Sequence, residues 1–452
     1  MKPNRLHHLF YFTFIFLTLI SCKKYLEEKS DKSLVVLETL SDLQGLLDNA
    51  SIMNLKTPGF GQTSDDDYFV SESNYNSFGE NDKRAYTWTL DTYGFPNDWA
   101  YSYNAIYNSN FCLEQISKIE KTSKNKDAWN NVRGSAYFYR GFYFLNLAWE
   151  YAKAYDESTY ESDLGVPLRL NSNFNIPSIR ANVKETYEQA ILDLREAVNL
   201  LPDNPQYQMR PSKAATYGTL ARAYLSMRKY DSAYKYADLA LKIKNDLLDF
   251  NSSEVSINTL VPIKPQNPEI IFYTTQSGSY TPKASFFALT DTVLYNLYSE
   301  DDLRKTVYFL PNGGYTSFKG WYSGASNVFF SGIATDELYL IRAECNARLE
   351  RLTEALIDLN ALLIKRWKTG TFLPISVSTT QQALIIILQE RRKELTMRGL
   401  RWIDIKRLNK EGFNISPRRE VGGITFNLLS NDPKFALPLP QAIIDITGMQ
   451  QN

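Results

Sequence analysis

Histidine is almost missing from this sequence: the two that occur, His7 and His8, both stand upstream of Cys22. The chain beyond that point has no imidazole, which excludes Ser-His-Asp and Cys-His nucleophile systems, histidine metal sites and histidine general bases. Only carboxylate chemistry stays open. Cysteine is scarce as well. After Cys22 only Cys112 and Cys345 remain, far apart and each within a helical pattern. No disulfide framework is indicated, and two buried free thiols are expected in preference to a bridge. Surplus charge is also lacking, with 50 Lys and Arg against 50 Asp and Glu. Without Lys2 and Arg5 the balance is 48 against 50, a net of −2. A chain with no basic footprint does not have nucleic acid as its partner.

Long apolar runs are absent but for one, from Leu9 to Ile20, behind Lys2 and Arg5 and ending in Leu19-Ile20-Ser21-Cys22. It falls well short of the roughly 20 residues that span a bilayer. A positive start, a short apolar stretch and a small residue before cysteine read as a lipoprotein signal peptide over residues 1–21, with Cys22 as the lipidated first residue of the mature protein. The charged stretch behind it, with Lys23, Lys24, Glu27, Glu28 and Asp31, reads as a tether leaving the anchor.

What the sequence has in abundance is aromatic side chains: 30 Tyr, 25 Phe and 7 Trp, enough to fill a large core and leave rings for a surface. It also repeats itself. From Lys213 to Ala240, Tyr217, Leu220, Ala221 and Tyr224 mark one helix face, Arg228 to Asp231 turn the chain, and Ala233, Ala237 and Ala240 let a second helix pack closely. That is a tetratricopeptide unit. From Asp336 to Trp367, Ala343, Ala355, Leu359 and Leu362 recur at the offsets of Ala221, Ala233, Ala237 and Ala240. Weaker helical patterns run from Trp99 to Ile119, Trp129 to Tyr151 and Val183 to Leu200. Residues 51–97, 153–180, 246–334 and 411–440 carry neither helical nor strand periodicity and are rich in Gly, Pro, Asn and Ser. Stretches that long either carry function or wrap the scaffold.

Several ordered blocks resemble the SusD/RagB family over nearly the whole chain after Cys22. They are Cys22-Lys-Lys-Tyr25-Leu26-Glu27, Arg133 to Leu147 followed by Gly165-Val166-Pro167-Leu168, Thr186-Tyr187 to Leu200-Leu201-Pro202, Asp336 to Glu344, Glu390 to Glu394 with Gly399 to Asp404, and Leu437-Pro438-Leu439-Pro440-Gln441 with Gln451-Asn452. The resemblance implies a mainly α, SusD-like tetratricopeptide scaffold with long irregular loops and a few short strands. It further implies division into residues 1–21 (signal), 22–250 (N-terminal repeat region) and 251–452 (C-terminal region with the last repeat). The implied function is that of a lipid-anchored protein on the extracellular side of the outer membrane. Such a protein binds glycan or peptide and delivers it to a SusC-like TonB-dependent transporter, without catalysis. The rival reading is a tetratricopeptide protein-interaction scaffold at the outer membrane.

Glycosidase chemistry needs two carboxylates roughly 5 to 10 Å apart, and no short motif singles out such a pair. No enzyme and no cofactor are expected. Asp65-Asp66-Asp67 lacks the alternating pattern of a calcium loop and reads as a solvated loop, with metal binding left open. The alternating charges from Glu390 to Arg407, with Glu394 and Arg398 one turn apart, read as a salt-bridged helix facing the repeats. For ligand, the expected contacts are rings outside the repeats. Trp321, Tyr322 and Tyr315 come first, in a Gly-rich loop with no regular face to hide them, the rival reading being that Trp321 caps the core beneath its loop; Trp88 and Tyr93 follow, Trp88 alternating with Tyr86 and Leu90 in a strand-like pattern whose plain reading is a half-buried hairpin. Flat rings cover the apolar C–H face of a sugar, while Asn and Asp bond its hydroxyls.

Overall fold

The computed structural model describes residues 37–91, 93–94, 97–278 and 282–452, so the signal segment, Cys22 and the charged tether lie outside the described residues. The longer helices are α1 (Leu40–Leu47), α2 (Asp98–Ile116), α3 (Lys126–Tyr151), α4 (Val183–Leu200), α5 (Lys213–Ser226), α6 (Tyr230–Ile243), α7 (Thr335–Arg348), α8 (Leu352–Leu363), α9 (Thr380–Glu394) and α10 (Arg401–Asn409). Their starts are chemically marked. Asn97 accepts from the Ala100 N–H, Ser212 from Ala215 and Thr379 from Gln382, while Asn182 and Glu185 close a capping box at the start of α4. Each cap satisfies N–H groups that the first helical turn leaves open.

The helices stack in chain order: α2 on α3, α3 on α4, α5 on α6, α6 on α7, and α7 on α8 and α9. Both tetratricopeptide units are therefore present as read, α5 with α6 and α7 with α8. Small residues set the spacing. Ala233, Ala237 and Ala240 of α6 and Ala343 and Ala355 of α7 and α8 have no exposed surface. On α3, a Cβ at Gly141 would come within 2.7 Å of the Ala190 carbonyl oxygen of α4, so only glycine permits that approach. Cys112 and Cys345 are free and buried, as expected, and burial pushes the Cys112 thiol up to about 12.

The strands are short: β1 (Tyr68–Val70), β2 (Leu164–Pro167), β3 (Arg180–Asn182), β4 (Ile270–Phe272), β5 (Ala288–Thr290), β6 (Phe309–Asn312), β7 (Tyr315–Phe318), β8 (Ile333–Ala334), β9 (Arg418–Val421) and β10 (Ile424–Asn427). They pair antiparallel as β1–β5, β2–β3, β4–β8, β6–β7 and β9–β10. The β6–β7 turn is Gly313-Gly314, with φ of +57° and +87°, the left-handed pair that a tight hairpin requires. Leu40–Asn452 forms one compact unit. Among the described residues no helix is long and apolar enough to cross a membrane.

The long irregular segment between α6 and α7 is tied to the repeats by buried charge. Arg366, just past α8, donates to Glu394 Oε1 at 2.8 Å and to Glu269 Oε1 at 2.6 Å. Arg304 donates to Glu394 Oε2 at 2.9 Å, to Asp302 Oδ2 at 2.7 Å and to Glu390 Oε2 at 2.6 Å. The side chains of Arg304, Arg366, Asp302, Glu269 and Glu394 are wholly inaccessible. A second network joins Arg407 to Glu344 at 2.6 and 2.8 Å and to Asp404 at 2.8 Å, with Arg391 on the other Asp404 oxygen. Salt bridging of the block from Glu390 to Arg407 was expected, but its geometry differs. Glu394 and Arg398 do not pair along the helix. Glu394 goes to Arg304 and Arg366, and Arg398 goes to Asp336 on α7.

Two further expectations are corrected. Asp65-Asp66-Asp67 is no solvated loop: Asp65 and Asp67 are buried, Arg401 takes Asp66 at 2.6 and 2.8 Å, and Arg392 takes Asp67 at 3.1 Å. The alternation around Trp88 is no strand. Glu80–Tyr86 is helical, and Trp88 follows it at φ +57°. Three alternating residues are too few to hold a strand without a partner.

Burial alone would push the Asp302 carboxyl up, yet Arg304 and Lys393 outweigh it and hold it at about 2. Its folded pKa lies below the unfolded value of about 4, so its share of stability, about 2 kcal/mol, is full above that value and is lost as pH falls through about 2. Urea midpoints measured across this range should decline in the native protein. Asp302→Asn should flatten that part of the curve and cost about 3 to 5 kcal/mol at neutral pH.

Candidate functional site

A candidate ligand cleft lies where the α4–α5 loop meets the residues on either side of β4. Pro202, Pro205 and Pro211 keep residues 201–212 from continuing either helix. The loop's backbone is pinned from beneath. Asn54 Nδ2 donates to the carbonyls of Met209 at 2.9 Å and Tyr273 at 3.0 Å, Tyr139 donates to Met209 at 2.9 Å, and the Tyr273 N–H donates to Gln208 at 2.7 Å. With its main chain satisfied inward, the loop turns Tyr207 outward, 61% exposed.

The result is a cleft of about 760 Å³ walled by Tyr207, Met209, Pro265, Gln266 and Tyr273. Gln206, Gln208 and Asn54 supply amides, and Asp48 and Arg210 supply the only charges. Arg210 donates to Asp48 at 2.9 Å and to Gln206 at 2.6 Å while its guanidinium lies 5.6 Å from the Tyr207 ring centre. That contact, with Gln206 reaching the Tyr207 hydroxyl at 3.4 Å, steadies an exposed phenol. The Tyr273 hydroxyl donates to the Ser323 carbonyl at 3.1 Å; burial raises its pKa more than this bond lowers it, so the hydroxyl stays protonated. Burial does the same to Tyr139. An open ring, a second ring and a set of neutral amides are the groups that hold a neutral, hydroxyl-rich molecule.

Of the five rings expected to bind ligand, only Tyr315 is open. It stands at the β6–β7 turn, 48% exposed and edge-on to Phe69 at 5.1 Å. Trp321 is 3% exposed and packs edge-on between Phe318 at 5.3 Å and Phe329 at 5.5 Å. Tyr322 is equally buried, donating to Glu269 at 2.6 Å with Arg398 4.3 Å from its ring. These two belong to the core. The glycines beside them mark tight packing: a Cβ at Gly320 would meet Tyr308 at 2.5 Å, and one at Gly324 would meet Pro265 at 2.3 Å.

Trp88 and Tyr93 are both nearly inaccessible. Trp88 donates to the Ser64 carbonyl at 2.9 Å and borders a cavity of about 420 Å³; Tyr93 donates to the Pro438 carbonyl at 2.8 Å. Among the described residues no group of three or more His, Cys, Asp or Glu side chains is arranged to hold a metal ion. The signal that would have found the cleft is Gln206-Tyr207-Gln208: one tyrosine between two glutamines in a proline-bounded loop.

Residues 24–225 match a SusD-like family model described as starch-binding and associating with the outer membrane, and residues 298–436 match that of the SusD family. No curated protein matches the chain. Solved structures do. A putative sugar-binding protein from Bacteroides vulgatus superposes at a TM-score of 0.74 with 20% identity, covering 92% of this chain and 99% of its own. A SusD superfamily protein from Bacteroides thetaiotaomicron gives 0.76 with 21% identity over the same shares. A SusD-like carbohydrate-binding protein, also from Bacteroides vulgatus, gives 0.66 with 22% identity over 87% and 89%.

The burial of Trp321 yields a clear expectation. Trp321→Ala removes a large ring from a packed aromatic cluster and should cost about 3 to 5 kcal/mol, read as a lowered melting temperature. An unchanged melting temperature would return this ring to the surface.

Proposed function

The chain belongs to the SusD family, and from that premise we propose that it is a carbohydrate-binding protein of the outer membrane that captures a glycan without transforming it. In this reading Cys22 carries the lipid, the body faces the extracellular side, and the captured glycan passes to a SusC-like TonB-dependent transporter. The observation that carries the binding step is Tyr207, an exposed phenol held by Arg210 among Gln206, Gln208 and Gln266. A sugar ring laid on it would cover its apolar face, while the amides take the hydroxyls. Neutral amides suit a glycan better than a peptide's charged ends, because the only charges present, Asp48 and Arg210, already neutralise each other.

Titration calorimetry against a panel of neutral oligosaccharides and of peptides tests this. Tyr207→Ala should weaken glycan binding by roughly 10-fold, about 1.4 kcal/mol, with the melting temperature unchanged. Binding of peptides alone would refute the glycan reading. Affinity purification from outer membranes should recover a TonB-dependent transporter, and mass spectrometry of the N-terminal peptide should find lipid on Cys22. Recovery of soluble periplasmic partners alone would favour the interaction scaffold.

A further inference from the structure

A second cleft, of about 900 Å³, lies between α1, the start of α3 and the α4–α5 loop, and it shares Asp48, Gln206 and Arg210 with the first. Each volume by itself falls within the roughly 300 to 1,000 Å³ that encloses one small ligand. The shared wall is a hydrogen-bonded ladder. Asn131 donates to Gln44 at 2.7 Å, Gln44 donates to Asp48 at 2.8 Å, Arg210 donates to Asp48 at 2.9 Å and to Gln206 at 2.6 Å, and Gln206 reaches the Tyr207 hydroxyl at 3.4 Å. Polar groups are thus positioned in sequence from the far end of the second cleft to the ring in the first.

We propose that the two clefts form one groove for a linear, neutral oligosaccharide, with Tyr207 and Tyr273 gripping one end and the Asn131–Gln44 stretch of the ladder the other. Three observations support it. The lining of the second cleft is again amides, with Asn204 and Asn130 added to Gln44 and Asn131, interleaved with Leu40, Leu200, Pro202 and Pro205. Alternating apolar and amide groups match a chain whose sugars present C–H faces and hydroxyls by turns. In each cleft one buried side-chain amide oxygen lacks a hydrogen-bond partner, Gln208 Oε1 in the first and Asn130 Oδ1 in the second. A buried acceptor without a donor is costly, and since both oxygens are enclosed in the unliganded chain, a side-chain rotation that turns each into its cleft would let a ligand hydroxyl satisfy it. The charge is wrong for an acidic chain: Arg210 is spent on Asp48, and Asp127 leaves the second cleft with surplus negative charge. Uronate or sulfated glycans would meet repulsion there.

This inference rests on the glycan reading above, and chain length separates the two. The neutral glycan that binds in the panel is titrated into the full mature protein as its two-unit and its six-unit chain. The longer chain should bind at least roughly 10-fold more tightly. Gln44→Ala with Asn131→Ala should erase that advantage, whereas Tyr207→Ala weakens both chains. Asn204→Ala, at an exposed position, should cut the advantage without touching the ladder, and it carries the test if the double variant lowers the melting temperature. Equal affinity for both lengths, or an advantage that survives both sets of variants, overturns the second cleft while the capture reading stands. If no neutral glycan binds at all, both fall together.

Discussion

Glu394 accepts hydrogen bonds from two buried guanidinium groups, Arg366 at 2.8 Å and Arg304 at 2.9 Å, and the rest of the molecule depends on that junction. Burial opposes the charge on Glu394, yet the two arginines outweigh it and hold the carboxylate below its ordinary range. The three residues come from α9, from the end of the last repeat and from the irregular segment between α6 and α7. A buried ion pair adds little net stability over an apolar substitute, but removing one partner strands the others without solvent. The network therefore acts as a register lock: Arg366 also holds Glu269, and Glu269 accepts from Tyr322, so the described residues of 246–334 are fixed against the repeats.

That position sets the walls of the proposed cleft. With residues 246–334 locked, β4 lies against β8 and delivers Tyr273 to the α4–α5 loop, where its N–H meets Gln208. Tyr139 of α3, with Asp48 and Asn54 from the segment just after α1, supplies the floor, and the loops supply the open rings and amides. The proposed site sits on the loops because their outward side chains are free of packing, while their backbones are satisfied inward.

Much of the fold was legible in the sequence. The repeats at Lys213 and Asp336 appear as helix pairs because alanines at fixed offsets permit only one kind of close packing. The charge-rich block at Glu390 was legible as ionic, but its partners were not. Helical spacing offers Arg398 to Glu394, whereas burial makes pairing with Arg304 and Arg366 far more valuable than a local surface pair. The same holds for Asp65-Asp66-Asp67, whose arginines lie more than 300 positions further along the chain.

The candidate site was the least legible part. Trp321 and Tyr322 sit in an irregular, Gly-rich stretch, where lack of periodicity does not separate an exposed ring from a covered one. Gly320 and Gly324 instead admit backbone and rings at distances no Cβ would allow, so the irregular segment folds inward as a second core. The sequence by itself determined the helical repeats, the missing imidazoles, the buried thiols and the want of net charge, because periodicity and composition are local properties of the chain. Which aromatic rings are covered and which stand open was decided only by the tertiary structure. Exposure depends on what distant segments bring against a side chain, and here buried charge decides which segments those are.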